Sequence, residues 1–158
     1  MLNIIFSFVS SIAAMISAII SAIALVKTLK TQKQIKQAQI KQNTIEAFNI
    51  LQNNVLDKLV GIERKNAEII VDSLENEECK AAYCDYKALI AKLEHFAVAI
   101  KHNFYDLDVV NELAGEHLIY LYSRVEPIIF EANKRETQIK HYSNFVDLVN
   151  KLKKLKEK

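Results

Sequence analysis

The first 26 positions of the chain carry no charged side chain, and a run of lysines without acids follows them. An α-helix rises about 1.5 Å per residue and the hydrocarbon core of a bilayer is about 30 Å thick, so about 20 residues cross it. Most large side chains in this stretch are isoleucine, leucine, valine or phenylalanine, which favour insertion into lipid. The pattern predicts a membrane-spanning helix over residues 1–26.

A cleaved signal peptide is the alternative for this segment, because Ala22-Ile23-Ala24 forms a small-x-small cleavage motif. The leading end lacks the basic residues that such peptides carry, which favours an uncleaved anchor. Lysines close to a span stay on the cytoplasmic side, so the basic run places the N-terminus outside and the C-terminal domain in the cytoplasm.

Residues 27–44 are rich in glutamine and lysine and contain neither glycine nor proline, which predicts a basic helical stalk that continues the anchor. The few apolar positions of the stalk form no wide stripe, so neighbouring copies would have to supply its burial. Lysines near an anionic membrane surface each contribute about 1 kcal/mol of attraction. The candidates for contact with lipid head groups, or for the mouth of a pore, are Lys27, Lys30 and Lys33.

Beyond residue 44, glycine occurs twice and proline once, so the many tight turns of a sheet protein are not available. Apolar positions recur at helical spacing and predict helices over about 45–62, 80–102, 108–114, 116–134 and 142–155. Thr44 is expected to cap the first, Asp106 or Asp108 to cap the third, Gly115 to end the third and Pro127 to bend the fourth. The predicted fold is all-α, with an antiparallel bundle of four or five helices over 45–158.

Small side chains repeat at alternating intervals of three and four along the span, at Ser7, Ser10, Ala14, Ser17, Ser21 and Ala24. We call these six residues the small-residue seam. Small residues let helix backbones approach closely, and hydroxyls can hydrogen-bond across the contact. The seam predicts self-association of the anchor, and many copies would line a polar conduit. The alternative is a monomeric anchor whose serines bond back to their own helix.

Catalytic chemistry has one candidate pair in this sequence, Arg135 and His141, with five residues between them. In small all-helical nucleases such a pair supplies the acid or base and steadies charge on phosphate. The alternative is a solvated arginine beside a structural histidine. The two cysteines lack a second pair for a zinc site, and no Gly-rich phosphate loop or nucleophile motif is present. We expect no metal, cofactor or small-molecule substrate.

The order of these features resembles that of a known group of bacterial defence proteins. An uncharged span and a basic stalk precede a helical domain that ends in Arg-x5-His, Tyr142-Ser143-Asn144-Phe145 and an amphipathic helix. This arrangement is similar to the accessory membrane protein of type VI-B CRISPR systems, whose soluble part is related to the HEPN nuclease fold. It also resembles a broader bacterial single-pass helical family that shares Leu93-Glu94-His95-Phe96 and the closing Asn144-Phe145 helix.

The resemblance implies a homo-oligomer in the bacterial inner membrane that forms a pore or perturbs the envelope when an antiviral nuclease is triggered. An RNA-guided nuclease or RNA would then be its partner, besides membrane lipid. The HEPN resemblance carries over only to Arg135 and His141. Glu136 follows the arginine where active members place a neutral polar residue, and a neighbouring acid weakens the arginine's field. We therefore expect a non-enzymatic protein.

Two other functions remain open from the sequence. One is a membrane-tethered HEPN-like ribonuclease that uses Arg135 and His141. The other is a structural adaptor that recruits a cytoplasmic partner to the membrane through an acidic turn around residues 75–78 or through the lysine-rich end of the chain.

Overall fold

The computed structural model of the chain describes the backbone of residues 2–135 and 140–157, and side chains from residue 15 onward within those ranges. The described residues contain no strand. The predicted fold class, all-α with a long apolar N-terminal helix, is confirmed. The chain divides into two compact units, Met1–Gln39 and Ile40–Lys158.

Six α-helices and one π-helical segment make up the described chain. The bounds are α1 Leu2–Leu51, the π-helical segment Gln52–Leu56, α2 Asp57–Leu59, α3 Arg64–Asp72, α4 Glu77–Lys101, α5 Leu107–Arg135 and α6 Ser143–Lys156. The predicted helices over 80–102 and 142–155 correspond to α4 and α6. Asn76 caps α4, its side-chain oxygen accepting the N–H groups of Glu78 and Cys79.

The core of the second unit lies where α5 packs against α3 and α6, and where α4 packs against α6 and α3. Its largest fully buried side chains are aliphatic residues and one phenylalanine, and each contributes about 1.5–3 kcal/mol by leaving water. The largest include Leu59, Ile62, Ile90, Leu93, Leu118, Leu121, Ile128, Phe145 and Leu152.

The predicted cap at Thr44 is wrong, because Thr44 lies inside α1 rather than at the start of a new helix. Good helix formers flank it on both sides, so the chain has no local reason to break there. Its hydroxyl is fully buried, donates to the carbonyl of Ile40 at 2.7 Å and accepts the N–H of Asp106 at 2.8 Å. Thr44 therefore links α1 to the turn before α5.

The prediction of one continuous α-helix over 45–62 is also wrong. The chain passes through the π-helical segment, resumes as α2 and turns before α3, with Glu63 in an extended conformation. The wider π turn buries Val55 and Leu56 together, each at 2% exposure or less. Glycine is a poor helix former, and Gly61 stands at the point where the helix stops.

The predicted break at Gly115 is confirmed to within one residue. The segments predicted over 108–114 and 116–134 are two helical stretches of α5 that meet at a kink, where Ala114 has non-helical dihedral angles (φ −155°, ψ 19°). Gly115 is buried, and a Cβ there would lie 2.5 Å from Asn111 Oδ1. A larger residue at position 115 would therefore force the end of the Asn111 side chain to shift. Pro127 lies inside α5, and the cap is Asp106, whose carboxylate accepts from Asp108 and Val109.

Candidate functional site

The apolar part of α1 is exposed along its described length. Every side chain from residue 15 to residue 39 is exposed, including Ile19 at 60%, Ile23 at 63% and Val26 at 66%. α1 is long and apolar enough to cross a membrane. A row of large aliphatic side chains without cover is unstable in water, so lipid or other protein must surround it.

The small-residue seam falls partly within the described side chains. Ser17, Ser21 and Ala24 lie on α1 and are exposed. The side chains of Ser7, Ser10 and Ala14 lie outside the described residues, although the backbone there is helical. At 100° per residue, the three described positions fall on one side of the helix.

The three lysines predicted at the membrane surface, Lys27, Lys30 and Lys33, are all exposed on α1. Two threonines lie among these lysines. The hydroxyls of Thr28 and Thr31 donate to backbone carbonyls of the same helix four residues earlier, at 2.9 and 3.0 Å. The ammonium groups are thus the charged groups that this segment offers to a head group or an ion.

Arg135 ends α5 with its guanidinium already paired. Its Nε donates to Glu131 Oε1 at 2.6 Å, while Lys134 Nζ lies 3.8 Å from the other oxygen of that carboxylate. Glu131 is only 8% exposed, so its charge is partly desolvated and holds the arginine firmly. A phosphate would have to compete with this buried carboxylate for Arg135. Residues 136–139, including Glu136, lie outside the described residues.

His141 is joined to the end of α5 through Asn133. The His141 N–H donates to Asn133 Oδ1 at 2.6 Å, and Asn133 Nδ2 donates to the His141 carbonyl at 3.2 Å and to the Ile129 carbonyl at 2.9 Å. We call this arrangement the Asn133 clamp. It brings the backbone of His141 to the last turns of α5, where Arg135 also lies. Its contacts to His141 use the backbone, leaving the imidazole outside the clamp.

Another polar cluster, which the sequence analysis did not single out, joins α3 to α5. Arg64 Nη1 donates to Glu126 Oε2 at 2.8 Å and to the Ser123 carbonyl at 3.0 Å. Hydrogen bonds with Glu126 and then Glu68 raise the pKa of Arg64 above its ordinary value. Burial, followed by the charge of Glu126, raises the pKa of the Tyr122 hydroxyl. At neutral pH, Arg64 therefore stays protonated and the Tyr122 hydroxyl stays neutral.

Arg124 holds the turn between α2 and α3. Its Nη1 donates to the carbonyls of Val60 at 2.9 Å and Ile62 at 3.2 Å, its Nη2 bonds to the Tyr120 hydroxyl, and its guanidinium lies 4.1 Å from the Tyr120 ring centroid. Arg124 has a structural role, because two of its acceptors are backbone carbonyls of the turn before α3. Among the described residues, no group of three or more His, Cys, Asp or Glu side chains could hold a metal ion.

These features define a class of protein: an all-α chain with an exposed apolar helix long enough for a bilayer and a separate helical core. A comparison with family models matches residues 10–152 to a domain of unknown function, DUF4760. The match runs from within the apolar helix to α6, and the chain belongs to this family. No curated protein and no solved structure matches the chain.

Proposed function

We propose that the protein is a single-pass, membrane-anchored homo-oligomer of the bacterial inner membrane that acts as a pore-forming or membrane-perturbing accessory effector in antiviral defence. The N-terminus lies outside and the helical unit lies in the cytoplasm. The observation that carries the proposal is the exposure of every large aliphatic side chain of α1 between residues 15 and 39. They are stable only when lipid or other copies cover them.

The small-residue seam supports contact between copies rather than lipid alone. Lipid tails pack equally well against isoleucine, whereas small residues on one side allow another helix to approach closely. Each hydroxyl contact across such an interface contributes about 0.6–2 kcal/mol. A seam of six residues thus favours association, and a ring of seams would face an aqueous path with serine hydroxyls.

The positions of the lysines support the proposed orientation of the chain in the membrane. Lys27 and Lys30 follow the last uncharged position, and no lysine or arginine precedes residue 27. Such a bias keeps the lysine-bearing side in the cytoplasm. Activation by an RNA-guided nuclease rests on the resemblance to the type VI-B accessory protein. A ribonuclease is less favoured, because the Nε of Arg135 is already paired with the carboxylate of Glu131, whose negative charge opposes a phosphate there.

The seam is tested by replacing Ser10, Ala14, Ser17 and Ser21 together with leucine. The matched control replaces four isoleucines on the opposite side of the helix with leucine, Ile12, Ile16, Ile19 and Ile23. We expect the seam variant to lose particle mass in detergent, measured by light scattering, and to leak less dye from liposomes, while the control does neither. Unchanged mass and leakage in the seam variant would refute a seam-mediated pore.

The liposome assay also separates the pore from the adaptor. An adaptor would bind the membrane without passing ions, so an oligomer of unchanged mass that never conducts would favour recruitment of a cytoplasmic partner. Reconstitution with and without a transmembrane potential, with potassium release as the readout, makes the comparison direct. Conductance that depends on the seam supports the proposed function.

A further inference from the structure

A cavity of about 450 Å³ opens between the end of α1, the π-helical segment and α4. We call it the basic-rimmed groove. Its volume lies within the range of about 300–1,000 Å³ that small-molecule sites occupy. Its walls come from two helices that each contribute residues at helical spacing, and all of its lining residues belong to the second unit.

The floor of the groove is aromatic and fixed in place. Phe96 is 7% exposed, and its ring centroid lies 5.2 Å from that of Tyr105 and 6.3 Å from that of Phe48. Ring pairs at these separations support one another, so the floor is preformed. Ile50, on the opposite wall, is 63% exposed. The groove therefore offers apolar surface that the residues described by the structure leave uncovered.

The π-helical segment forms one end of the groove and carries Asn54. π-helical turns are rare, and they occur frequently at functional sites because they widen the helix and redirect side chains. Here the wider turn buries Val55 and Leu56 while Asn54 is exposed at the groove. The segment is thus a second, independent sign of a binding site.

The rim of the groove is basic. Lys92 and His95 lie one turn apart on α4 and are exposed, and the lining contains no aspartate or glutamate. Lys92 forms no ion pair with the residues that the structure describes. An anionic group at the rim would meet a cation without displacing an existing partner.

The dimensions favour an acyl chain over a helix of another protein. The groove extends along about seven residues of each wall, which corresponds to about 10 Å. A helix of another protein, about 10 Å in diameter, would meet only about two turns of each wall. A single hydrocarbon chain is narrower and needs only apolar walls with one charged group at the end.

We propose that the basic-rimmed groove binds a fatty acid, with its hydrocarbon chain against Phe96 and Ala99 and its carboxylate beside Lys92 and His95. Binding is non-covalent and does not depend on the pore proposed above. The groove lies in the helical unit, so the bound lipid is distinct from the bilayer lipid that surrounds α1.

The test uses the full-length protein in lipid nanodiscs with a diazirine-bearing palmitic acid, followed by mapping of the photolabelled peptides by mass spectrometry. We expect labelling within residues 47–55 and 92–105 that excess unlabelled palmitic acid removes. Lys92→Glu should reduce this labelling at least fivefold, while Lys65→Glu, an exposed lysine on α3, should leave it unchanged. The methyl ester of the same probe should label as weakly as Lys92→Glu does.

Ala99→Trp fills the groove and should abolish labelling there without changing the labelling of residues 1–26. Because a tryptophan at this half-buried position risks misfolding, the exposed Lys92→Glu variant decides the outcome, with its circular dichroism compared with that of the unmodified protein. Labelling confined to residues 1–26, or equal labelling by the acid and its methyl ester, would overturn the proposal. Either result would show that the probe follows the bilayer.

Discussion

The carboxylate of Glu94, within α4, accepts the backbone N–H of Phe145 at 2.7 Å. Its other oxygen accepts the backbone N–H of Asn144 at 3.1 Å and the Asn144 amide at 2.6 Å. The residue before α6, Tyr142, is left-handed (φ 61°) and provides no side-chain cap of its own. Glu94 therefore caps α6 from another helix, 51 residues away in the chain.

Glu94→Ala should destabilise the helical unit by about 2 kcal/mol, because two N–H groups of α6 lose a charged acceptor in a half-buried position. Thermal unfolding followed by circular dichroism in detergent is the measurement, and the midpoint should fall by several degrees. Glu112→Ala removes an exposed carboxylate from α5 and serves as the control. Equal midpoints for the two variants would contradict the cap.

Thr44→Val should cost about 1–3 kcal/mol, because the N–H of Asp106 loses its buried acceptor while the shape of the side chain is kept. Thr44→Ser retains the hydroxyl and should lose less. Amide hydrogen exchange at Asp106 distinguishes the two variants: we expect faster exchange in the valine variant alone. Similar exchange in both would mean that the hydroxyl contributes nothing to the turn before α5.

Gly115→Ala should destabilise the unit by about 1 kcal/mol, because the new methyl group forces the end of the Asn111 side chain to shift. Asn111→Ala in the same chain removes the obstacle, so the double variant should be more stable than the sum of the single effects predicts. Chemical denaturation of all four proteins gives the coupling. Strict additivity would show that the contact with Asn111 does not restrict position 115.

Arg124→Leu should loosen the turn between α2 and α3, because the carbonyls of Val60 and Ile62 lose their shared donor. We expect a loss of about 1–2 kcal/mol and faster amide exchange in residues 60–63. Arg64→Leu is the comparison, since the ion pairs of Arg64 are exposed and screened by salt. A larger loss of stability in Arg64→Leu than in Arg124→Leu would contradict this prediction.

Cys84 provides a test of orientation without any substitution, because it is exposed while Cys79 is half-buried. If the helical unit lies in the cytoplasm, a membrane-impermeant maleimide added to intact spheroplasts should leave Cys84 unlabelled. Permeabilised spheroplasts should show full labelling, and Cys84→Ser should remove it. Labelling of intact spheroplasts would place the helical unit outside and reverse the proposed orientation.

The helical class of the fold was predictable because apolar positions recur at helical spacing and turn residues are scarce. The structure bears this out in α4 and α6, whose buried faces match that spacing. The break at Ala114 was predictable from the neighbouring Gly115, whereas the close approach of Asn111 to Gly115 was not, because a close approach and a helix end both favour glycine. The π-helical segment was missed because its apolar spacing also fits an α-helix.

Polar residues of the core were the hardest to predict. The Thr44 hydroxyl accepts the N–H of Asp106, and the Glu94 carboxylate accepts the N–H of Phe145. Both partners are remote in sequence. The ion pair of Arg135 could have been predicted from the local sequence. Glu131 and Arg135 stand four residues apart on one helix, the spacing at which opposite charges pair.

The Asn133 clamp has a practical consequence for engineering. Its two hydrogen bonds to the backbone of His141 hold the end of α5 and the start of the segment before α6 together. Because the entropy of closing a loop rises only slowly with its length, extra residues inserted between Thr137 and Gln138 should be tolerated. An epitope or a small fluorescent domain placed there would report on the protein in living cells while leaving both ends of the chain untouched.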